Sequence, residues 1–162
     1  VIGETGLDLA RQRGLGPLLK VGNWLGPVLV AAAEAGVRDL LLLGYHGKLI
    51  KLAGGIFHTH HHLADGRLEV LVALGLDADL SADQLRQLRG AASVEEAFQM
   101  LDANQASALG RHLSEMVERR SQSYVARYGD WSMRISAALF DRNRTLRWWG
   151  PEGEKRFFTL MD

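Results

Sequence analysis

Apolar positions recur along this chain with two periods, and the alternation between them sets out the elements. Val1-Ile2 reads as a strand end, Gly3-Glu4-Thr5-Gly6 as a glycine turn, and LDLARQRG as a short helix stopped by Gly14. Leu18 to Val21 reads as a short strand. Trp24, Leu25, Val28, Leu29 and Ala32 return every three or four residues, which predicts a helix from about Trp24 to Ala35 with Gly22-Asn23 as its turn and N-cap. Pro27 falls in the first turn, where a missing N–H does little harm, and Gly36 ends the segment. Asp39 to Leu43, DLLLL, has the pattern of a strand covered on both faces.

Lys48 to Ala53 predicts a short helix with both lysines on one face, and Arg67 to Leu74 another that carries Leu68, Leu71, Val72 and Gly75. Ser81 with Gln84 and Ser93 with Glu96 spell two capping boxes, so residues 77–107 read as helical punctuation without evident chemistry. The longest helix is expected over Leu109 to Tyr128. Its apolar stripe is Leu109, Leu113, Met116, Val117, Tyr124 and Tyr128, and Glu115, Glu118, Arg119 and Arg120 take the wet side. Arg134 to Phe140 then reads as a strand, Asp141 to Arg144 as a turn and Thr145 to Trp149 as the antiparallel return. Gly150 to Gly153 reads as a second turn before Arg156-Phe157-Phe158. Neighbouring residues of a strand face opposite sides, so at most one of Trp148 and Trp149 lines a pocket. Together these predict an α/β fold: a layered domain with a short, mainly parallel sheet, flanking helices and a C-terminal antiparallel strand pair. Ligands gather at the carboxyl ends of strands in such a sheet.

Composition narrows the partners. The 162 residues, 47% of them hydrophobic, suffice for one domain spanning residues 1–162. Nineteen basic and 19 acidic residues cancel, so no global field draws the chain to nucleic acid or an anionic membrane, and any anion site is local. With no cysteine there are no disulfides, thiolate metal sites or thiol nucleophiles, which fits a cytoplasmic setting. No apolar run approaches the roughly 20 residues that span a bilayer. The opening Val1-Ile2-Gly3, without Met, reads as a fragment or an expressed domain.

Candidate chemistry concentrates in Gly44 to Arg67, GYHGKLIKLAGGIFHTHHHLADGR. These 24 residues hold five glycines, four histidines between positions 58 and 62, two lysines and an Asp-Gly-Arg close. Glycines admit close backbone approach to a ligand, and Lys, His and Arg donate to anionic groups. In an extended segment His58, His60 and His62 would share a face and could bind zinc, with Asp65 or Glu69 adding an oxygen. The alternative is a cationic rim of His, Lys48, Lys51 and Arg67 suited to a polycarboxylate or phosphate, which accounts for the lysines as well. Nucleophilic catalysis is poorly supported: Thr59 and Ser81 lack an elbow motif, and neither a P-loop nor a GxGxxG fingerprint occurs.

The run GKLIKLAGGIFHTHHHLADGR resembles the motif of the cobalt-precorrin-5B C1-methyltransferase family of anaerobic cobalamin biosynthesis, a GKLxKLAxGIxxTH followed by ADGR. The matching positions are Gly47, Lys48, Leu49, Lys51, Leu52, Ala53, Gly55, Ile56, Thr59, His60 and Ala64 to Arg67. Gly3-Glu4-Thr5-Gly6 is similar to that family's glycine turn, Asn23 to its asparagine after the second strand, and ALFDRNRTLRWWG to its closing strand pair. The chain departs from the commoner pattern at Tyr45-His46, in place of His-Ile, at His58, in place of Asn, and at His61-His62, in place of Ser-Arg.

Family members are roughly twice this length, so the resemblance makes the chain the C-terminal portion of a longer enzyme. It implies methyl transfer from S-adenosylmethionine, as cosubstrate, to C1 of a cobalt-corrinoid whose cobalt belongs to the substrate, so no resident metal is expected. Placed at strand ends, Gly3, Gly6, Asn23, Gly44 and Gly47 are the expected cofactor contacts. Lys48, Lys51, Thr59, His60, Asp65 and Arg67 are the expected corrinoid contacts, and no side chain is singled out as an acid or base. The expected partners are the corrinoid and the missing N-terminal part of the same chain. Without that part, the chain alone is expected to transfer little methyl. From a different class, the alternative is a tetrapyrrole- or metal-binding domain that uses the His-rich loop and performs no chemistry alone.

Overall fold

The computed structural model describes Val1 and residues 3–161. Its elements are α1 (Gly3–Gln12), α2 (Leu25–Glu34), β1 (Asp39–Tyr45), α3 (His46–Ala53), α4 (Arg67–Asp77), α5 (Ala82–Gly90), α6 (Val94–Gln99), α7 (Ala103–Val125), β2 (Arg134–Phe140), β3 (Leu146–Trp149) and α8 (Pro151–Met161). The sheet has the order β1-β2-β3, with β1 and β2 parallel and β2 and β3 antiparallel. It is an α/β sheet as expected, divided between one parallel and one antiparallel pair.

Side-chain alternation along the strands builds two cores. Leu42, Ile135, Ala137, Leu139 and Trp148 face a large cluster shared with α2 to α7. Leu43, Ala138, Phe140 and Trp149 face a smaller cluster closed by Leu9 and Ala10 of α1. Adjacent Trp148 and Trp149 thus serve opposite sides of the sheet, as the period of two requires. Trp148 stacks on Phe98 at 4.5 Å between ring centroids.

Several boundaries differ from expectation, each for a physical reason. The glycine turn at Gly3 to Gly6 is the first turn of α1 itself, and the strand end at Val1-Ile2 falls partly outside the described residues. Gly14 does stop α1: its φ is +65°, and Leu15 N reaches back to Ala10 O at 3.0 Å. Leu18 to Val21 forms no strand of the sheet; Val21 makes only a bridge-like bond, from its N–H to Val1 O at 2.9 Å. Trp24, placed on the apolar face of α2, is 65% exposed and takes the N-cap position assigned to Asn23.

The Ser81–Gln84 box is complete. Ser93 caps Glu96 N, while the Glu96 carboxylate turns to Ala92 N instead of closing its box. A third box, Asp102 with Gln105, opens α7 six residues before the expected start. The largest departure concerns Glu118, assigned to the wet side of that helix. It is buried, and its carboxylate accepts hydrogen bonds from Ala137 N at 2.9 Å, Gly153 N at 2.9 Å and Glu152 N at 3.0 Å. Two of those donors are free N–H groups of the first turn of α8, the helix that takes in Arg156-Phe157-Phe158 after the expected turn. Pro151 starts this helix, where proline is favoured, so Gly150 to Gly153 is a helix entry and not a hairpin turn. Burial raises the Glu118 carboxyl above its usual range, against the lowering effect of the three N–H donors.

Candidate functional site

Chain direction brings the chemistry to the carboxyl ends of β1 and β2. β1 ends at Tyr45, which is also the N-cap of α3, and β2 ends at Phe140. A crevice of about 290 Å³ opens there, lined by Gly3, Glu4 and Thr5 from α1, by Tyr45 and Phe140, and by Asp141 and Arg142 from the turn after β2. The Asp141 carboxylate accepts from Asn143 N at 2.8 Å and Thr145 N at 3.0 Å, so the turn holds its own shape.

One carboxylate oxygen organises the inner wall. Glu95 Oε2, in the first turn of α6, lies 2.8 Å from His46 Nε2, 3.4 Å from the Tyr45 hydroxyl and 3.3 Å from Arg142 N. His46 is 1% exposed, with its ring edge-on to Phe98 and Trp148. Burial lowers its pKa although Glu95 opposes this, so the ring is neutral at pH 7. Its Nδ1 is buried without a hydrogen-bond partner among the described residues. Burial raises the Tyr45 phenol, and Glu95 adds to that against Arg142.

Beside Tyr45 the structure gathers all six expected corrinoid contacts into one cluster. Arg67 Nε and Nη2 grip Asp65 at 2.5 and 2.8 Å, and this fork lowers the Asp65 carboxyl to about 2. Lys51 is 3% exposed and donates to Thr59 O at 3.1 Å and Ala64 O at 2.7 Å. It feels the charges of Asp65, Arg67 and Lys48, and Arg67 in turn feels Tyr45. Lys51 is therefore a brace whose ammonium fixes the backbone on both sides of the histidine turn. Lys48 differs: it is half-buried, burial lowers its pKa, and no hydrogen bond or ion pair engages it among the described residues.

The histidines do not share a face. His58 is turned against Trp24, with ring centroids 4.4 Å apart, in an isolated antiparallel bridge between these two residues. At His60 the chain turns, with Leu63 N donating to His60 O at 3.1 Å, and the rings of His60, His61 and His62 cluster 4.0 to 5.1 Å apart, His60 and His61 stacked and His62 tilted against both. Partial desolvation, followed by the neighbouring imidazoles, lowers the His60 pKa. Among the described residues no group of three or more His, Asp or Glu is arranged to hold a metal ion.

The expected cofactor contacts divide. Gly3 lines the crevice, and Gly44 is buried in the last turn-ward step of β1. Gly47 leaves room for the Tyr45 ring, with which any Cβ there would collide. Gly6 packs beneath, where a Cβ would lie 3.4 Å from Leu43 O. Asn23 is not part of the crevice lining; its Oδ1 accepts from the Thr59 hydroxyl at 3.2 Å and its carbonyl from Thr59 N at 2.9 Å, so it stands with the histidine loop. Sequence reasoning missed Glu95 and Arg142. The only local trace of Glu95 was its place as an acid in the first turn of a capped helix, which is also how an ordinary helix start looks.

A parallel strand pair with a crevice at its carboxyl ends, lined by Arg142 and the buried Asp141 carboxylate, defines an α/β domain with a candidate ligand site. Residues 58–151 match the family model described as CbiD, C-terminal domain, and the chain belongs to that family. It is 84% identical over its whole length to a cobalt-precorrin-5B C(1)-methyltransferase of Synechococcus sp. (strain CC9605), of which it covers 44%. Proteins of the same name from Parasynechococcus marenigrum (strain WH8102) and Prochlorococcus marinus (strain MIT 9303) are 77% and 62% identical over 100% and 99% of this chain, covering 46% and 43% of their lengths. The chain thus spans less than half the length of these relatives. No solved structure matches it significantly. Among the described residues no helix is long and apolar enough to cross a membrane.

Proposed function

We propose that this chain is the C-terminal portion of a cytoplasmic C-methyltransferase that moves a methyl group from S-adenosylmethionine to C1 of a cobalt-precorrin in cobalamin biosynthesis. The names of its relatives support the reaction, and one geometric observation carries the assignment of the site. Lys48 holds a half-buried, desolvated ammonium that no hydrogen bond or ion pair engages among the described residues, one helical turn after Tyr45, which lines the crevice. Such a cation is costly unless a ligand brings the anion, and a corrinoid carries several carboxylates.

The residues take distinct parts in this reading. Lys48, His60 and the remaining Nη1 of Arg67 contact substrate carboxylates. Lys51, Thr59 and Asp65 position them through the bonds described above. The donor lies along Gly3, Gly44 and Gly47, with Gly6 and Asn23 supporting the walls. Methyl transfer from a sulfonium needs in-line placement and a dry site more than a protein nucleophile: C1 supplies the electron pair, and S-adenosylhomocysteine leaves. The absence of a nucleophile motif is compatible with that chemistry.

Calorimetry of the longer protein with S-adenosylhomocysteine tests the donor, with one site expected; absence of binding by well-folded protein overturns it. Replacing Lys48 with Met tests the acceptor side. Corrinoid binding should weaken by about tenfold or more, the worth of one charge-assisted hydrogen bond, with donor binding unchanged. Equal corrinoid affinity would remove Lys48 from the site.

A further inference from the structure

A second cavity, of about 370 Å³, lies away from the crevice and plays no part in the reaction assigned above. Its floor is Leu25, Val28, Leu29 and Ala32 of α2, its far wall runs through Leu15 to Leu19, and Val1 also lines it. Asp39, Leu40, Leu41, Leu42 and Leu43 all line it too. Successive strand residues point to opposite faces, so a cavity touched by five in a row runs along the edge of β1 and not over one face.

That edge is unpaired among the described residues, because β1 is the outer strand. Arg134 N donates to Arg38 O at 2.8 Å, and in a parallel ladder the same residues alternate down the strand. Leu40, Leu42 and Gly44 therefore turn their peptide groups to β2, and Leu41 and Leu43 turn theirs outward. Gly6 of α1 lies over Leu43 O, which leaves the Leu41 peptide open to the groove. An apolar parallel strand with no charge, proline or bulge on its central edge residues is built to be paired, since nothing there deters another strand.

We infer that this groove receives a strand from the segment preceding Val1 in the longer relatives, which adds a fourth strand to the sheet beside β1. Three observations favour that occupant. The relatives carry more than half of their length outside this chain. Val1 lines the groove, and its nitrogen already donates to Leu19 O at 2.9 Å, a bond that a peptide N–H makes equally well. From Val1 the chain enters α1, whose first turn sits at the carboxyl end of β1, so a strand arriving through the groove runs parallel to β1. Leu19 and Val37, 61% and 37% exposed in this chain, form the rim and become covered.

Residue-resolved hydrogen exchange on the longer protein tests this. The Leu41 amide should be protected as strongly as Leu42; a freely exchanging Leu41 between protected Leu40 and Leu42 overturns the inference. A second measurement is independent of the ladder. In the longer protein, Leu19→Cys should react with a maleimide at least tenfold more slowly than Leu76→Cys, since Leu19 and Leu76 are both 61% exposed in this chain. Equal rates overturn it. So does protection of Leu41 that is lost on dilution together with a dimer in sedimentation, because the occupant is then a second copy.

Discussion

Two regions of this molecule bury a charge for opposite ends. Lys51 places an ammonium between two carbonyls, Thr59 O and Ala64 O, on either side of the histidine turn. Glu118 places a carboxylate among three N–H groups where β2, β3 and α8 meet. Each is a polar side chain that replaces backbone partners no secondary structure supplies. The difference lies in what is held. Glu118 joins three elements of the core, whereas Lys51 fixes one loop, which carries His60 and lies between α3, with Lys48, and α4, with Arg67. The first arrangement bears on stability and the second on the geometry of the proposed binding surface.

Removing Glu118 should give the largest effect. Glu118→Leu leaves three buried donors without acceptors and should cost about 3 kcal/mol or more in a urea titration. Glu118→Gln should retain part of that, and a cost below about 1 kcal/mol for Glu118→Leu would break the comparison. Lys51→Met comes next. It frees two carbonyls at a partly open loop, at about 2 kcal/mol, but should weaken corrinoid binding more than it lowers global stability. A uniform loss of stability with binding intact would make Lys51 a second Glu118.

The smallest expected effect is at His46, buried like the other two but partnered on one side only. Its folded pKa is lowered by burial, so as pH falls below about 6.5 the unfolded chain takes up a proton that the folded chain refuses. Stability should therefore decline from about pH 6.5 downward, and His46→Asn should flatten that slope in denaturant titrations between pH 5 and 7. An unchanged slope would show that Glu95 compensates the buried ring fully.

Most of the frame was legible because its signals are local. The run DLLLL, the strand Arg134 to Phe140 and the return to Trp149 announce themselves by continuous or alternating apolar residues, and the serine caps by three-residue spacing. What failed depended on partners far along the chain. Glu118 reads as a surface residue until Ala137, Glu152 and Gly153 arrive around it, and the start of α8 reads as a turn, Gly150 to Gly153, until that carboxylate caps it. The Gly44 to Arg67 stretch was found by composition, but composition does not distinguish a lysine that braces a loop, Lys51, from one that no hydrogen bond or ion pair engages among the described residues, Lys48. Glu95 carried no signal beyond that of an ordinary helix start, and its role appears only when α6 packs against the end of β1.

The tandem tryptophans of β3 have a practical consequence. Because Trp148 belongs to the cluster beneath α7 and Trp149 to the one beneath α1, two neighbouring indoles report on opposite sides of a single sheet. Trp148→Phe and Trp149→Phe variants would separate their fluorescence. Unfolding followed through each would then show whether the molecule melts as one body or sheds its α1 side first.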